Sequence, residues 1–224
     1  MKPLLTIENL LSEAYIFCQN EKIIEHISLF GKSDGKTIGT HIEKRFTDHL
    51  SEKYLFKKGS PSKGIDFPSS DILTDIKVTS VKQPQSSCPF RDAKQKIFGL
   101  GYNLLIFVYD KKDNLQNQTT ILDFVSCSFI EKERTADYRT TFELRQMISD
   151  GKNQEEIVCY LKKRKIPADD IALTDLAKQI IENPPMQGYL TITNALQWRL
   201  AYTTVVDLNI SVEGIHKIID KNPI

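Results

Sequence analysis

The feature that most constrains the fold is a continuous apolar run near the middle of the chain, Leu104 to Tyr109, within the segment NLLIFVYD. The run is far too short to cross a membrane, which takes about 20 residues. A half-buried strand would alternate apolar with polar residues, so the run predicts a strand buried on both faces at the centre of a sheet. A polar turn, KKDNLQNQ, and a second strand, TTILDFVSCSFI, are predicted to follow it.

Two helices are predicted near the start of the chain. Residues 6 to 30 carry apolar side chains at helical spacing and predict one helix, with a break near Gln19 and Asn20 as an alternative. In the segment TIGTHIEKRFTDHLSEKY, apolar residues recur at every fourth position. This spacing predicts a second amphipathic helix, capped by Thr37 or Thr40.

Between these helices and the buried strand, the pattern changes to short segments. GIDF and DILTDIKVTS predict two strands joined by a Pro-Ser-Ser-Asp turn, and FRDAKQKIFGLG predicts a helix that ends at Gly99 or Gly101. The resulting order of helices and strands predicts an α/β fold, with a central mixed β-sheet flanked by helices.

The second half of the chain is predicted to be mainly helical. Three short helices are predicted, in FELRQMI, EEIVCYLKKRK and DDIALTDLAKQIIEN. Residues 138–183 are therefore expected to form a helical subdomain or insertion. Residues 1–137 would then form the core with its N-terminal helices. Residues 184–224 would return to that core, with YTTVVDLNI as the best strand candidate.

Composition narrows the class of protein only slightly. The formal net charge of +1 neither supports nor excludes nucleic-acid binding, because acids around a metal and bases at a rim cancel in the sum. The four cysteines form no CxxC pair and have no histidine at ligand spacing, which argues against a zinc site. The N-terminus does not resemble a signal peptide, and a cytoplasmic protein without membrane contact is expected.

Chemistry is concentrated in the stretch GIDFPSSDILTDIKVTS, which contains Asp66, Asp75 and Lys77. Residues i and i+2 of a strand share a face, so Asp75 and Lys77 are predicted to lie side by side. A hairpin would bring Asp66 next to Asp75, and with the carbonyl of Ile76 they would form an oxygen site suited to Mg²⁺. A cross-strand salt bridge on a solvated face is the alternative. Asp71 is a competing first acid.

The order Asp66, Asp75, Ile76 and Lys77 resembles the catalytic motif of the PD-(D/E)XK nuclease superfamily, which includes most type II restriction endonucleases. Ile65 stands where that motif has proline. The resemblance covers residues 38–130 and implies a restriction-endonuclease-like core that uses Mg²⁺. It also implies a further acid from the helix before the motif, for which Glu43 is the best-placed residue.

Side chains downstream of this motif are candidates for DNA contacts, since amides, hydroxyls and lysines bind phosphates or base edges. The run Lys162–Lys165 is either a phosphate-contacting patch or a solvated helix end. The candidates that directly follow the motif are Lys82, Gln83, Gln85 and Ser86. The resemblance implies two more on the next predicted helix, Lys94 and Gln95, because that helix often faces the active site in the superfamily.

The first hypothesis is therefore a Mg²⁺-dependent type II restriction enzyme that cuts double-stranded DNA at a specific site. A homodimer is expected from the resemblance, because a symmetric site has two strands to cut. The alternatives are a repair or recombination nuclease of the same superfamily, or a DNA-binding module without catalysis.

Overall fold

The computed structural model describes residues 2–59, 64–88, 92–193 and 198–220. The chain divides into two compact units. The first consists of residues 1–86, 102–130 and 206–224, and the second consists of residues 87–101 and 131–205. The helices are α1 (Ile7–Glu21), α2 (Gly35–Lys53), α3 (Gln95–Phe98), α4 (Tyr138–Ser149), α5 (Gln154–Lys163), α6 (Asp170–Glu182) and α7 (Thr203–Val206). The strands are β1 (Thr74–Ser80), β2 (Gln85–Cys88), β3 (Asn103–Asn114), β4 (Thr119–Ile130), β5 (Thr191–Ile192), β6 (Trp198–Ala201) and β7 (Ile215–Ile219).

The first unit contains a mixed sheet of order β1-β3-β4-β7. β1 runs parallel to β3, whereas β3 pairs antiparallel with β4 and β4 pairs antiparallel with β7. Leu104 to Tyr109 lie in β3, where all are buried between two neighbouring strands. The predicted central strand and the α/β fold with a mixed sheet are thus confirmed.

Helices α1 and α2 cover this sheet, α1 against β4 and α2 against β1. Phe17 and Phe46 lie with their ring centroids 5.1 Å apart, and Phe46 lies at the same distance from Phe107 of β3. The single long helix predicted over residues 6–30 is wrong, and the alternative with a break near Gln19 and Asn20 is the better description. Helix α1 ends at Glu21, and a 3₁₀ turn follows at Ile27–Leu29.

The cap of α2 also differs from the prediction. The carboxylate of Asp34 accepts a hydrogen bond of 2.7 Å from the backbone N–H of Thr37, so α2 begins one turn earlier than its apolar spacing suggests. Thr37 and Thr40 lie inside the helix, and neither caps it.

Of the two strands predicted in GIDF and DILTDIKVTS, the second is β1, and the first is reduced to a single bridge. Phe67 and Thr74 exchange backbone hydrogen bonds of 2.9 and 3.1 Å, and the pairing stops there. The next backbone donor on this edge of β1, the N–H of Ile76, donates to the side chain of Asp66. A side chain therefore replaces the ladder bond that a longer hairpin would make.

In the second unit, α4, α5 and α6 correspond to the three helices predicted from the sequence, and they share a core that includes Leu144, Ile157, Leu173 and Ile180. A capping box formed by Asn153 and Glu156 begins α5. β5 and β6 pair antiparallel. Within the described parts of the chain, no helix is both long and apolar enough to span a bilayer.

The predicted strand YTTVVDLNI is wrong, because Thr203–Val206 form the helical turn α7 and the sheet gains its last strand later, as β7. The β-branched residues favoured a strand, but Val205 and Val206 are buried on a short helix instead. The helix predicted in FRDAKQKIFGLG ends, as expected, at Gly99. That residue has φ of +90°, and a Cβ there would lie 2.3 Å from the carbonyl oxygen of Lys132. The start of that prediction, Phe90 and Arg91, lies outside the described residues.

Candidate active site

β1 places Asp75 and Lys77 on one face, as strand alternation predicts. The Lys77 Nζ atom lies 2.6 Å from Oδ2 of Asp75. Asp75 is only 4% exposed, so the ion pair is largely withdrawn from water. Ile76, between them, points its side chain into the core of the first unit.

Asp66 reaches the same edge of the strand through its side chain. Its Oδ2 atom accepts a hydrogen bond of 2.7 Å from the backbone N–H of Ile76. The N–H and C=O groups of one strand residue point to the same side of the strand. Because the Ile76 N–H points toward Asp66, the Ile76 carbonyl points toward the side of Asp66 as well. The competing acid, Asp71, is exposed in the turn and accepts a hydrogen bond from Ser70.

Glu43 approaches this group from α2, which packs against β1. Burial raises the pKa of Glu43, and the negative charge of Asp66 raises it further. Burial alone would lower the pKa of Lys77, yet that pKa is raised, because the carboxylates of Asp75, Asp66 and Glu43 favour the ammonium form. The structure thus brings together the four side chains Glu43, Asp66, Asp75 and Lys77.

Among the residues that the structure describes, negative charge exceeds positive charge in this group. Burial raises the pKa of Asp75 to about 7, and the nearby Asp66 adds to the increase even though Lys77 opposes it. The single ammonium of Lys77 is shared among three carboxylates. A buried group with excess negative charge is stabilised by a proton or by a cation.

The donor set fits a hard divalent cation. Mg²⁺ is held by one or two carboxylates and keeps several waters and substrate oxygens, so it does not require a complete protein cage. Asp66, Asp75 and the Ile76 carbonyl supply oxygen donors on one edge of β1. Among the residues that the structure describes, no set of three or more His, Cys, Asp or Glu side chains is already arranged around a common metal position.

The predicted DNA contacts have different environments. Lys82 and Gln83 are exposed in the turn after β1, and Gln85 and Ser86 are half-buried in β2. Lys94 is exposed at the start of α3. The amide of Gln95 donates a hydrogen bond of 3.1 Å to the carbonyl of Leu100, so this side chain has a structural contact at the end of α3.

Sequence reasoning passed over a group of residues on α4 and α5. Phe142, Glu143 and Tyr160 line a cleft with Lys163 and Arg164, two members of the basic run. This face could have been predicted from helical spacing, which places five positions on one side of α4: Arg139, Phe142, Glu143, Gln146 and Met147.

Comparison with known proteins gives the family. The sequence profile of the type II restriction enzyme NspV matches residues 4–217. The type II restriction enzyme NspV from Nostoc sp. (strain ATCC 29411 / PCC 7524) is 47% identical over 220 residues, which are 98% of this chain and 99% of that protein.

Among solved structures, the tetrameric restriction endonuclease SfiI bound to cognate DNA is similar at 12% identity and a TM-score of 0.40, over 88% of this chain and 76% of that chain. This likeness is distant, and the assignment depends on the profile and on the Nostoc relative. The chain belongs to the NspV family of type II restriction enzymes.

Proposed function

We propose that this restriction enzyme hydrolyses phosphodiester bonds in double-stranded DNA at a short specific sequence, with Mg²⁺ held at Asp66, Asp75 and the Ile76 carbonyl. The observation that supports the proposal is the charge imbalance at this site. Three carboxylates share one lysine, and the pKa of the most buried one, Asp75, is raised to about 7. A divalent cation would supply positive charge that the described residues around Asp75 do not provide.

When bound, Mg²⁺ would polarise the scissile phosphate and make a water molecule more acidic. Asp66 and Asp75 hold their oxygens in place because Asp66 is fixed by the Ile76 N–H and Asp75 by Lys77. Preorganised donors of this kind avoid reorganisation during the reaction.

Lys77 has the role of an electrostatic and orienting group. Its pKa is raised, so its ammonium remains charged at neutral pH and cannot serve as a base. The ammonium would orient the attacking water and stabilise the negative charge that develops on the phosphate oxygens. The pKa of Glu43 is raised, which makes it a suitable acceptor for the proton that this water loses.

DNA contacts are proposed for Lys82, Gln83, Gln85, Ser86, Lys94 and Gln95. The exposed ammonium groups of Lys82 and Lys94 are suited to phosphates. Gln83 is exposed and suited to a base edge, since its amide can donate and accept. Two copies of the chain would cut the two strands of a symmetric site, which sedimentation with and without a duplex would test.

The activity is tested by a cleavage assay on phage DNA at about pH 8, with Mg²⁺ in one reaction and EDTA in the other. The wild type should give discrete bands only with Mg²⁺, whereas Asp75→Ala and Lys77→Ala should give none. Asp71→Ala is the matched control, because Asp71 lies in the same segment but is exposed and outside the group. If both site variants cut as well as Asp71→Ala does, the assignment of the site is wrong.

A further inference from the structure

The second unit contains a cleft of about 470 Å³ between α4 and the last turn of α5. We call it the α4–α5 cleft. Arg139, Phe142, Glu143, Gln146 and Met147 line it from α4, at spacings that place them along one helical face. The volume lies within the range of sites that hold a small ligand or a single nucleotide.

Tyr160, Lys163 and Arg164 line the opposite wall, at i, i+3 and i+4 on α5 and its C-terminal cap. Among the described residues, no carboxylate forms an ion pair with Lys163, whereas its neighbour Lys162 lies 2.9 Å from Asp170. Arg139 is paired with Glu143, and Arg164 lies 3.7 Å from Asp137. The Lys163 ammonium therefore leaves the walls with a net positive charge, which favours an anionic ligand.

Glu143 lies in the cleft as an ionised acceptor. Arg139 Nε and the Tyr160 hydroxyl each donate to it over 2.8 Å, and the bond from Arg139, followed by that from Tyr160, lowers its pKa despite partial burial. The carboxylate is therefore held in place and charged at neutral pH. A fixed carboxylate can accept from the exocyclic amino group of a base.

Phe142 adds a flat apolar surface beside these charges. Its side chain is 49% exposed, and its ring is parallel to that of Tyr138, with an interplanar angle of 5° and centroids 6.5 Å apart. An exposed aromatic face at the edge of a cationic cleft is suited to stacking with a base, because every base has a π-face.

We propose that the α4–α5 cleft binds one nucleotide of the DNA, with the phosphate near Arg139 and Lys163, the base against Phe142 and its amino edge toward Glu143. The inference rests on the proposed function, which supplies the duplex as the substrate. A nucleotide matches all three features of the cleft, which are a cationic wall for a phosphate, an aromatic face for a base and a fixed acceptor for an amino group. A free nucleotide offers the same chemistry, so the experiment separates the two sources.

The experiment is a fluorescence anisotropy titration of the full chain with a labelled duplex that carries the mapped cleavage site, in EDTA so that nothing is cut. Phe142→Ala should weaken binding about tenfold, as loss of one base stack does. Phe142→Leu, which keeps apolar bulk without the ring, should give an intermediate loss. Lys163→Ala should weaken binding and reduce the slope of log K against log[salt] by about 1.

The matched control is Lys178→Ala on α6. Lys178 belongs to the same unit, is similarly exposed and does not line the cleft. It should bind the duplex like the wild type. Cations near the end of α5 also interact with its dipole, so the melting temperature of every variant is measured alongside. Weaker binding with an unchanged melting temperature supports the proposal.

Two outcomes overturn it. If Phe142→Ala and Lys163→Ala bind the duplex like Lys178→Ala while the wild type still cleaves DNA, the cleft does not contact DNA and the proposed function stands. If calorimetry with the four deoxynucleoside monophosphates shows micromolar binding that Phe142→Ala removes, with duplex affinity unchanged, the ligand is a free nucleotide. A wild type that neither binds nor cleaves DNA refutes the proposed function itself.

Discussion

Two groups of buried acids in the first unit have opposite electrostatic characters. Glu13 and Glu21 on α1 are almost fully buried, and so is Asp75 on β1. Burial alone would raise the pKa of all three. The pKa values of Glu13 and Glu21 are nevertheless lowered, whereas that of Asp75 is raised to about 7.

The difference arises from the number of hydrogen-bond donors that each acid has. Glu13 accepts bonds of 2.7 Å from Lys53 and His49 and one of 3.2 Å from Tyr54. Glu21 likewise accepts two bonds from Arg45. At β1 the ratio is reversed, because Lys77 serves several acids. Loss of a partner from a paired buried acid is destabilising, whereas a surplus of buried acid itself lowers stability and is suited to binding a cation.

The largest expected effect separates the two groups by activity. Asp75→Asn keeps the shape of the side chain but removes a proposed metal ligand, and it should reduce cleavage by about 10³-fold or more. Glu13→Gln, the matched change in the other group, should leave the specific activity of the folded enzyme within about twofold. Single-turnover cleavage of a plasmid with one site measures both. Equal losses would mean that the pKa contrast does not identify the site.

The pH dependence of stability should also differ. The unfolded Asp75 loses its proton near pH 4 and the folded one near pH 7, so between these values the native state binds more protons. Stability of the metal-free protein should therefore fall as pH rises through this window, by at most about 1.4 kcal/mol per pH unit from this group. Denaturant titrations from pH 4.5 to 7.5 should show a smaller fall for Asp75→Asn. An unchanged slope in that variant would contradict the raised pKa.

For Glu13 the sign is opposite. Its folded pKa lies below the unfolded value, so its contribution is present above about pH 4.5 and is lost as the pH falls through the folded pKa. Glu13→Gln should lower the free energy of unfolding by about 2 kcal/mol at pH 7, since bonds to a buried charged acceptor are lost. The destabilisation should be smaller at pH 4. Asp48→Asn is the control, because Asp48 is exposed and forms only a 3.9 Å ion pair.

Of the two groups of buried acids, only the one at β1 could be predicted from the sequence. The positions of Asp75 and Lys77 followed from strand alternation, and Asp66 followed from a turn of fixed length, so only local geometry was needed. Glu43 was predicted only through the resemblance to the nuclease superfamily, because its contact depends on the packing of α2 against β1. The partners of Glu13 also lie far along the chain, among them His49 on α2. Such contacts arise from tertiary packing, which periodicity does not encode. The same cause explains the wrong prediction of YTTVVDLNI as a strand.

The smallest expected effect concerns stabilisation by Mg²⁺ itself. A ligand that binds only the native state raises the free energy of unfolding by RT ln(1 + [L]/Kd), which is about 1.4 kcal/mol at ten times Kd. Thermal denaturation at pH 8 with increasing Mg²⁺ should therefore show a rising midpoint for the wild type. The denaturation midpoint of Glu13→Gln should be lower without Mg²⁺ and should rise with Mg²⁺ by as much as that of the wild type. The reason is that Glu13 already has hydrogen-bond donors around it and is not expected to bind the cation.

Asp75→Asn should show a flat response to Mg²⁺, because the neutral amide removes both a ligand and the excess charge. At pH 5.5 the wild type should respond more weakly than at pH 8, because a proton on Asp75 competes with the cation below the pKa of about 7. If Asp75→Asn were stabilised as much as the wild type, the cation would bind elsewhere. The surplus of acid at β1 would then be a source of instability without a metal to relieve it.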